Sequence, residues 1–249
     1  MLRIGHRGAA AYAPENTLAS FRRAVELGAD GVEFDLHRTR DGRFVVIHDD
    51  AVDRTTDGHG KVDALAFEEL RRLDAGSWKG REFAGERIPT FDEVIDELPP
   101  RVLLFAELKA GSGRAPGIED DLARFLRERR ALPRVRVSSF DHRALLRLRG
   151  LLPELETGAL FTGLPVDLVS LARNCGAQAL HPSFHHLSAG VVGEAHAVGL
   201  AVNAWTVNEP DDIARVRAMG VDGMFSDYPD RLAYDGEPRR PRERKPTDG

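Results

Sequence analysis

Cysteine is almost absent: Cys175 is the only one in 249 residues. That excludes an intrachain disulfide and any CxxC metal or redox motif, and leaves Cys175 as small helix filler. Long apolar runs are absent too, since none approaches the roughly 18–20 residues of a membrane helix, so no membrane insertion is expected. A surplus of base is missing: 35 Lys and Arg face 40 Asp and Glu, a net charge of −5. Nucleic-acid binding relies on basic residues neutralising phosphates, so no nucleic-acid partner is expected. A small anionic substrate stays compatible, because the charge of a cleft need not follow the total. Met1 to Gly5 run directly into a polar motif with no charged-apolar-small leader, which makes a cytoplasmic protein the expectation. Nothing in the chain calls for an obligate protein partner. Residues 236–249 contain no hydrophobic side chain and are rich in Pro, Arg and Lys, the composition of a disordered basic tail.

What is present is alternation. Short apolar or β-branched runs at 2–5, 31–35, 102–107, 135–139, 156–160, 178–181, 200–205 and 222–226 alternate with amphipathic segments of helical length. Seven such segments fall between eight strands, at 17–27, 91–97, 118–130, 141–150, 166–174, 188–198 and 210–219. This predicts an α/β fold, a (β/α)8 TIM barrel formed by a single domain over residues 1–235 and closed by a short helix near Pro229 to Tyr234. An open doubly wound sheet lacks support, because no GxGxxG turn follows the first strand. Two segments break the alternation. Asp41-Gly42 between extended runs predicts a two-residue β-hairpin that extends strand two and sets Asp35 opposite His48. Residues 51–88 then form a long insertion, expected to cap the barrel mouth.

Catalytic groups in such barrels sit where the strands end at their C-terminal side. Glu33 and Asp35 are two apart, hence on one face, with Val32 and Phe34 turned outward; Glu107 and Lys109 share a face in the same way. Three converging carboxylates repel one another unless a cation neutralises them, and an oxygen-only set favours one hard divalent ion, Mg²⁺ or Ca²⁺. His6 and His48 offer a general acid and a general base near neutral pH. Arg7 and Lys109 bring positive charge for a phosphoryl group, and Trp205 reads equally as packing or as a wall for the substrate's alcohol. His181 and Asp227 stand at suitable heights without an assigned role. Glu15 and Asn16 read as the start of the first helix, with Asn16 or Thr17 as its cap.

The motifs HRGAAAYAPENT (6–17), GVEFDLHRTRDGRFVVIHD (31–49), DRTTDGHG (53–60), LDAGSWKG (73–80), FAGERIPTFDEV (83–94), AELK (106–109), SSF (138–140), AWTVN (204–208) and SDYP (226–229) occur in one order along the chain. The set resembles the glycerophosphodiester phosphodiesterase family. The resemblance implies metal ligands at Glu33, Asp35 and Glu107, catalytic histidines at His6 and His48, and phosphate contacts from Arg7 and Lys109. It implies that residues 51–88 are the insertion separating this family from bacterial phosphatidylinositol phospholipases. The implied products are sn-glycerol 3-phosphate and an alcohol such as choline or ethanolamine, with the free glycerol hydroxyl attacking first to give a cyclic phosphate that water opens. A lysophospholipase D is the alternative, which needs an apolar groove; a silent glycerophosphodiester-binding barrel would need a site residue to be missing, and all five are present.

Overall fold

The computed structural model describes residues 1–110 and 117–233. Period-two alternation builds the barrel wall. In β2 (Gly31–Arg38) the outward side chains Val32, Phe34 and Leu36 are fully buried under helices. Phe34 stacks edge-on against Phe21 of α1 (Leu18–Glu26), and tilts against Phe91 of α3 (Phe91–Glu97). Phe91 stacks on Phe125 of α4 (Ile118–Glu128) at 4.9 Å. One aromatic chain therefore ties three outer helices to one strand.

Eight parallel strands close the ring: β1 (Leu2–Gly5), β2, β4 (Leu103–Leu108), β5 (Val135–Ser139), β6 (Glu156–Phe161), β7 (Ala179–Pro182), β8 (Ala201–Ala204) and β9 (Gly223–Ser226), with β1 bonded to both β2 and β9. This is a TIM barrel. Seven of the eight ring strands match the segment expected from sequence to within one residue at each end, and β2 runs three residues beyond its expected end at 35. The remaining outer helices are α5 (His142–Leu151), α6 (Leu168–Cys175), α7 (Ala189–Ala197) and α8 (Pro210–Ala218). Among the described residues, β9 is followed by a 3₁₀ turn, Pro229–Leu232. The basic tail expected at 236–249 lies outside the described residues. No helix among the described residues is long and apolar enough to cross a membrane.

β2 overshoots the ring and pairs antiparallel with β3 (Phe44–Val46), as the hairpin signal predicts, but the register differs by one. Leu36 faces Val46 and Arg38 faces Phe44, so Asp35 stands opposite Ile47 and not His48. The turn holds three residues, Arg40 to Gly42, closed by Gly42 N–H to Thr39 O (3.0 Å) and Thr39 N–H to Arg43 O (2.9 Å). Only Gly42, at φ 83°, is left-handed. A two-residue turn needs positive φ at both central positions in type I′ and at the first in type II′, which Asp41 does not supply, so glycine after a type I turn produces the longer loop instead.

The inner layer alternates small with large. An added Cβ on Gly158 would meet the His181 ring at 2.4 Å, and one on Gly31 would meet Phe105 at 2.9 Å. Gly158→Ala is therefore expected to destabilise the barrel by about 1–3 kcal/mol through overpacking, read from urea unfolding. His181, packed beside Phe105 and Phe225, is held neutral: burial pushes its pKa from 6.5 down to about 3. The unfolded chain binds the extra proton between those values, so this contribution to stability is complete above pH 6.5 and is lost as the pH falls toward 3. His181→Asn should accordingly lose less Tm than the wild type between about pH 7 and about pH 4.5. Equal losses would exclude His181 as a source of acid sensitivity.

Residues 51–88 follow β3 and carry their own apolar cluster, in which Val52, Val62, Leu70, Ala75 and Ile88 pack with Val45 and Ile47. Their one α-helix is a single turn, α2 (Phe67–Leu70). Arg54 and Lys79 reach from this segment to the barrel mouth, Lys79 donating to Ala10 O at 2.7 Å.

Candidate active site

Register explains how the carboxylates meet. Asp35 is the in-register neighbour of Glu107 across β2 and β4, and Glu33 lies two residues below Asp35 on the same inward face. Oxygens of Glu33, Asp35 and Glu107 all lie within 4.8 Å of one another, and the three residues are buried. Lys109, next but one to Glu107, places Nζ 2.9 Å from Asp35 Oδ1 and 2.5 Å from Glu107 Oε1. It thus pairs with both carboxylates, and not with Glu107 alone.

On the other side, β1 ends in register with β2 at Gly5 and Val32, and the chain continues into His6 and Arg7. Arg7 adopts φ 50°, left-handed for a non-glycine residue, which turns its N–H onto Glu33 Oε2 at 2.8 Å. Its guanidinium donates to Glu15 Oε1 at 2.7 Å and lies 3.5 Å from Asp35 Oδ2. Asn16 does not cap α1. Thr17 does, leaving Asn16 at φ 59° to grip Asp35 at both ends: Nδ2 donates to Oδ2 at 2.8 Å, and Oδ1 accepts from the Asp35 N–H at 3.3 Å.

Each histidine is oriented by a carboxylate. His6 Nδ1 donates to Asp227 Oδ1 at 2.7 Å, and His48 Nδ1 donates to Asp49 Oδ1 at 2.6 Å. Asp227 is fixed in turn by Asn208 at 2.7 Å. His48 itself lies beyond β3, held where its backbone O accepts from His37 Nε2 at 3.2 Å. With Nδ1 engaged, Nε2 is the ring nitrogen left for another partner. His6 and His48 line one cavity of about 240 Å³ together with Arg7, Glu33, Glu107 and Lys109. Its far wall is apolar, formed by Phe140, Leu160, Trp205 and Phe225, with Trp205 pinned by Nε1–H to His181 O at 2.6 Å.

The electrostatics show a negative excess. Burial first, then the neighbouring Asp35, pushes Glu33 up to about 7, and the same two causes raise Glu107. Burial acts on Asp35 as well, but Lys109 and Arg7 overcome it and hold that carboxyl far below the carboxylate range. Burial also lowers His48, aided by Lys109 and Arg7; in His6 the Asp227 hydrogen bond and Glu33 overcome it and raise the ring. Three buried carboxylates with too little positive charge suit a hard divalent cation, and the oxygen-only donor set fits that group. The triad can hold such an ion.

Sequence reasoning gave Asp227 no role, took Asn16 for a helix start, and passed over Asp49. Asp227 carried one signal, its place just past the end of the last strand. The others show no local pattern.

A closed parallel barrel with acidic, basic and imidazole groups gathered at its C-terminal mouth defines the class, a (β/α)8 hydrolase of phosphoric diesters. The profile of the glycerophosphoryl diester phosphodiesterase family matches residues 6–231, and the chain belongs to that family. It is 41% identical over 230 residues to a glycerophosphodiester phosphodiesterase of Caldanaerobacter subterraneus subsp. tengcongensis, covering 92% of this chain and 95% of that one. Its fold is similar to an Oleispira antarctica phosphodiesterase solved in complex with the product sn-glycerol-3-phosphate, with TM-score 0.83, 33% identity, and coverage of 92% and 94%. A glycerophosphodiester phosphodiesterase from Agrobacterium tumefaciens superposes with TM-score 0.79 at 27% identity, covering 93% and 99%.

Proposed function

We propose that this protein hydrolyses glycerophosphodiesters, such as glycerophosphocholine or glycerophosphoethanolamine, to sn-glycerol 3-phosphate and the free alcohol. The observation that carries the reading is the cavity shared by His6, His48, Arg7, Lys109, Glu33 and Glu107, with both imidazoles oriented through Nδ1. The Oleispira antarctica relative, which holds that product, supports the same substrate class.

Glu33, Asp35 and Glu107 are the ligands for one divalent cation, Mg²⁺ or Ca²⁺, which when bound supplies Lewis-acid stabilisation of charge on the phosphoryl oxygens. Arg7 and Lys109 face the same oxygens and compensate their charge as the phosphorus becomes five-coordinate. The attacking hydroxyl must give up a proton and the departing alkoxide must gain one. One histidine takes the first at Nε2, and the other supplies the second from Nε2. Asp227 and Asp49 fix both rings and stabilise each in its protonated state. The Trp205 wall confines the arm of the diester beside it.

Incubating the purified protein with glycerophosphocholine and with glycerophosphoethanolamine, with and without EDTA, tests this. Release of sn-glycerol 3-phosphate that EDTA stops and Mg²⁺ or Ca²⁺ restores is the expected result. No release with either ion present would overturn the reading.

The apolar half of the cavity supports a second one, lysophospholipase D activity. Phe140, which packs against Trp205, is exposed, as are Leu164 and Val166 on the loop after β6. Comparing rates on lysophosphatidylcholine and glycerophosphocholine separates the two.

A further inference from the structure

The catalytic assignment leaves unused the arginine of the DRTTDGHG segment that opens the insertion. Arg54 spends its guanidinium on two carboxylates. Nε donates to Asp49 Oδ2 at 2.6 Å and Nη2 to Asp49 Oδ1 at 3.1 Å. Nη1 donates to Glu15 Oε2 at 2.9 Å, and Nη2 also reaches Glu15 Oε1 at 2.8 Å. Each carboxylate has a second partner in the site. Asp49 Oδ1 accepts from His48 Nδ1, and Glu15 Oε1 accepts from Arg7 Nη1.

His48 and Arg7 come from different parts of the ring, one beyond the hairpin strand β3 and one after β1. No direct hydrogen bond between the two is seen among the described residues. We propose that Arg54 is a positioning residue for the hydrolysis, a single guanidinium that keeps His48 and Arg7 in a common frame by gripping the carboxylate behind each. The inference rests on the roles proposed above for those two residues.

Physical chemistry makes arginine specific here. Only a planar fork with five donors satisfies two carboxylates side by side, whereas a lysine ammonium is a point charge that cannot reproduce the pair of bidentate contacts. Without the guanidinium, Asp49 and Glu15 are like charges facing each other, and each is free to turn away and take its partner with it. The anchor is firm, because Val52 and Thr55 on either side of Arg54 are buried. Arg54 itself is 46% exposed, so a soluble guanidinium ion reaches its place when the side chain is removed.

The test uses the metal-loaded protein and glycerophosphocholine. Arg54→Ala is expected to lower kcat by about 10–100-fold, the usual cost of losing a group that orients a catalytic one. Added guanidinium or ethylguanidinium should raise kcat of that variant saturably and leave the wild type unchanged. Because Arg54 acts on His48 through Asp49 and on Arg7 through Glu15, Arg54→Ala placed on Asp49→Ala should cost less than it does alone, by the share that runs through Asp49. Should Arg54→Ala fail to fold, Arg54→Lys takes its place in the same double-variant comparison. Wild-type kcat in the single variant, or an additive loss that guanidinium does not restore, would overturn the proposal. Absence of turnover in the wild type itself would instead overturn the proposed function, so the two failures are distinct.

Discussion

Alanine at His6 or at His48 should lower kcat on glycerophosphocholine by about 10²–10⁴-fold while leaving affinity for the divalent cation essentially unchanged. The division follows from geometry. Each imidazole has its Nδ1 committed to a carboxylate of its own, Asp227 or Asp49, and neither belongs to the buried oxygen cluster. Loss of either ring removes a proposed proton carrier and leaves Glu33, Asp35 and Glu107 in place. Steady-state kinetics beside a calorimetric titration of Mg²⁺ and Ca²⁺ check both halves. A parallel fall in metal affinity would show that the histidines are ligands.

The opposite pattern is expected for Glu33→Gln. One charge of the triad disappears, so bound cation and turnover should be lost together. Stability of the metal-free protein, by contrast, should not fall. Burial and the charge of Asp35 already push Glu33 up to about 7, so a neutral isostere relieves repulsion and costs nothing in Tm. Adding Mg²⁺ or Ca²⁺ then raises Tm of the wild type by mass action and leaves that of the variant where it was. A variant whose Tm rises with the ion as the wild type's does would exclude Glu33 as a ligand.

The barrel was legible because its signal is periodic. Apolar runs of strand length recur between helical segments, and two-residue spacing alone turns Glu33 and Asp35 inward beneath an outer layer containing Phe34. What escaped depends on single backbone torsions or on distant partners. Gly42 alone takes the left-handed conformation at the hairpin, and that shifts Asp35 from His48 to Ile47. Asn16 resembles a helix cap in sequence, yet Thr17 serves that purpose and Asn16, at φ 59°, holds Asp35. Glu15 and Arg54 meet across 39 positions of chain, a separation at which no local pattern exists.

The distance between His6 and Asp227 has a temporal consequence. They are 221 positions apart and touch only because β9 docks against β1. A chain emerging from the ribosome carries the whole carboxylate triad, Arg7 and His48 while its last strand is still unmade. His6 has no carboxylate to orient it until the ring is sealed. On the proposed mechanism, turnover is thus a readout of barrel closure, and a partly synthesised or partly unravelled chain can carry the proposed cation ligands without an oriented His6.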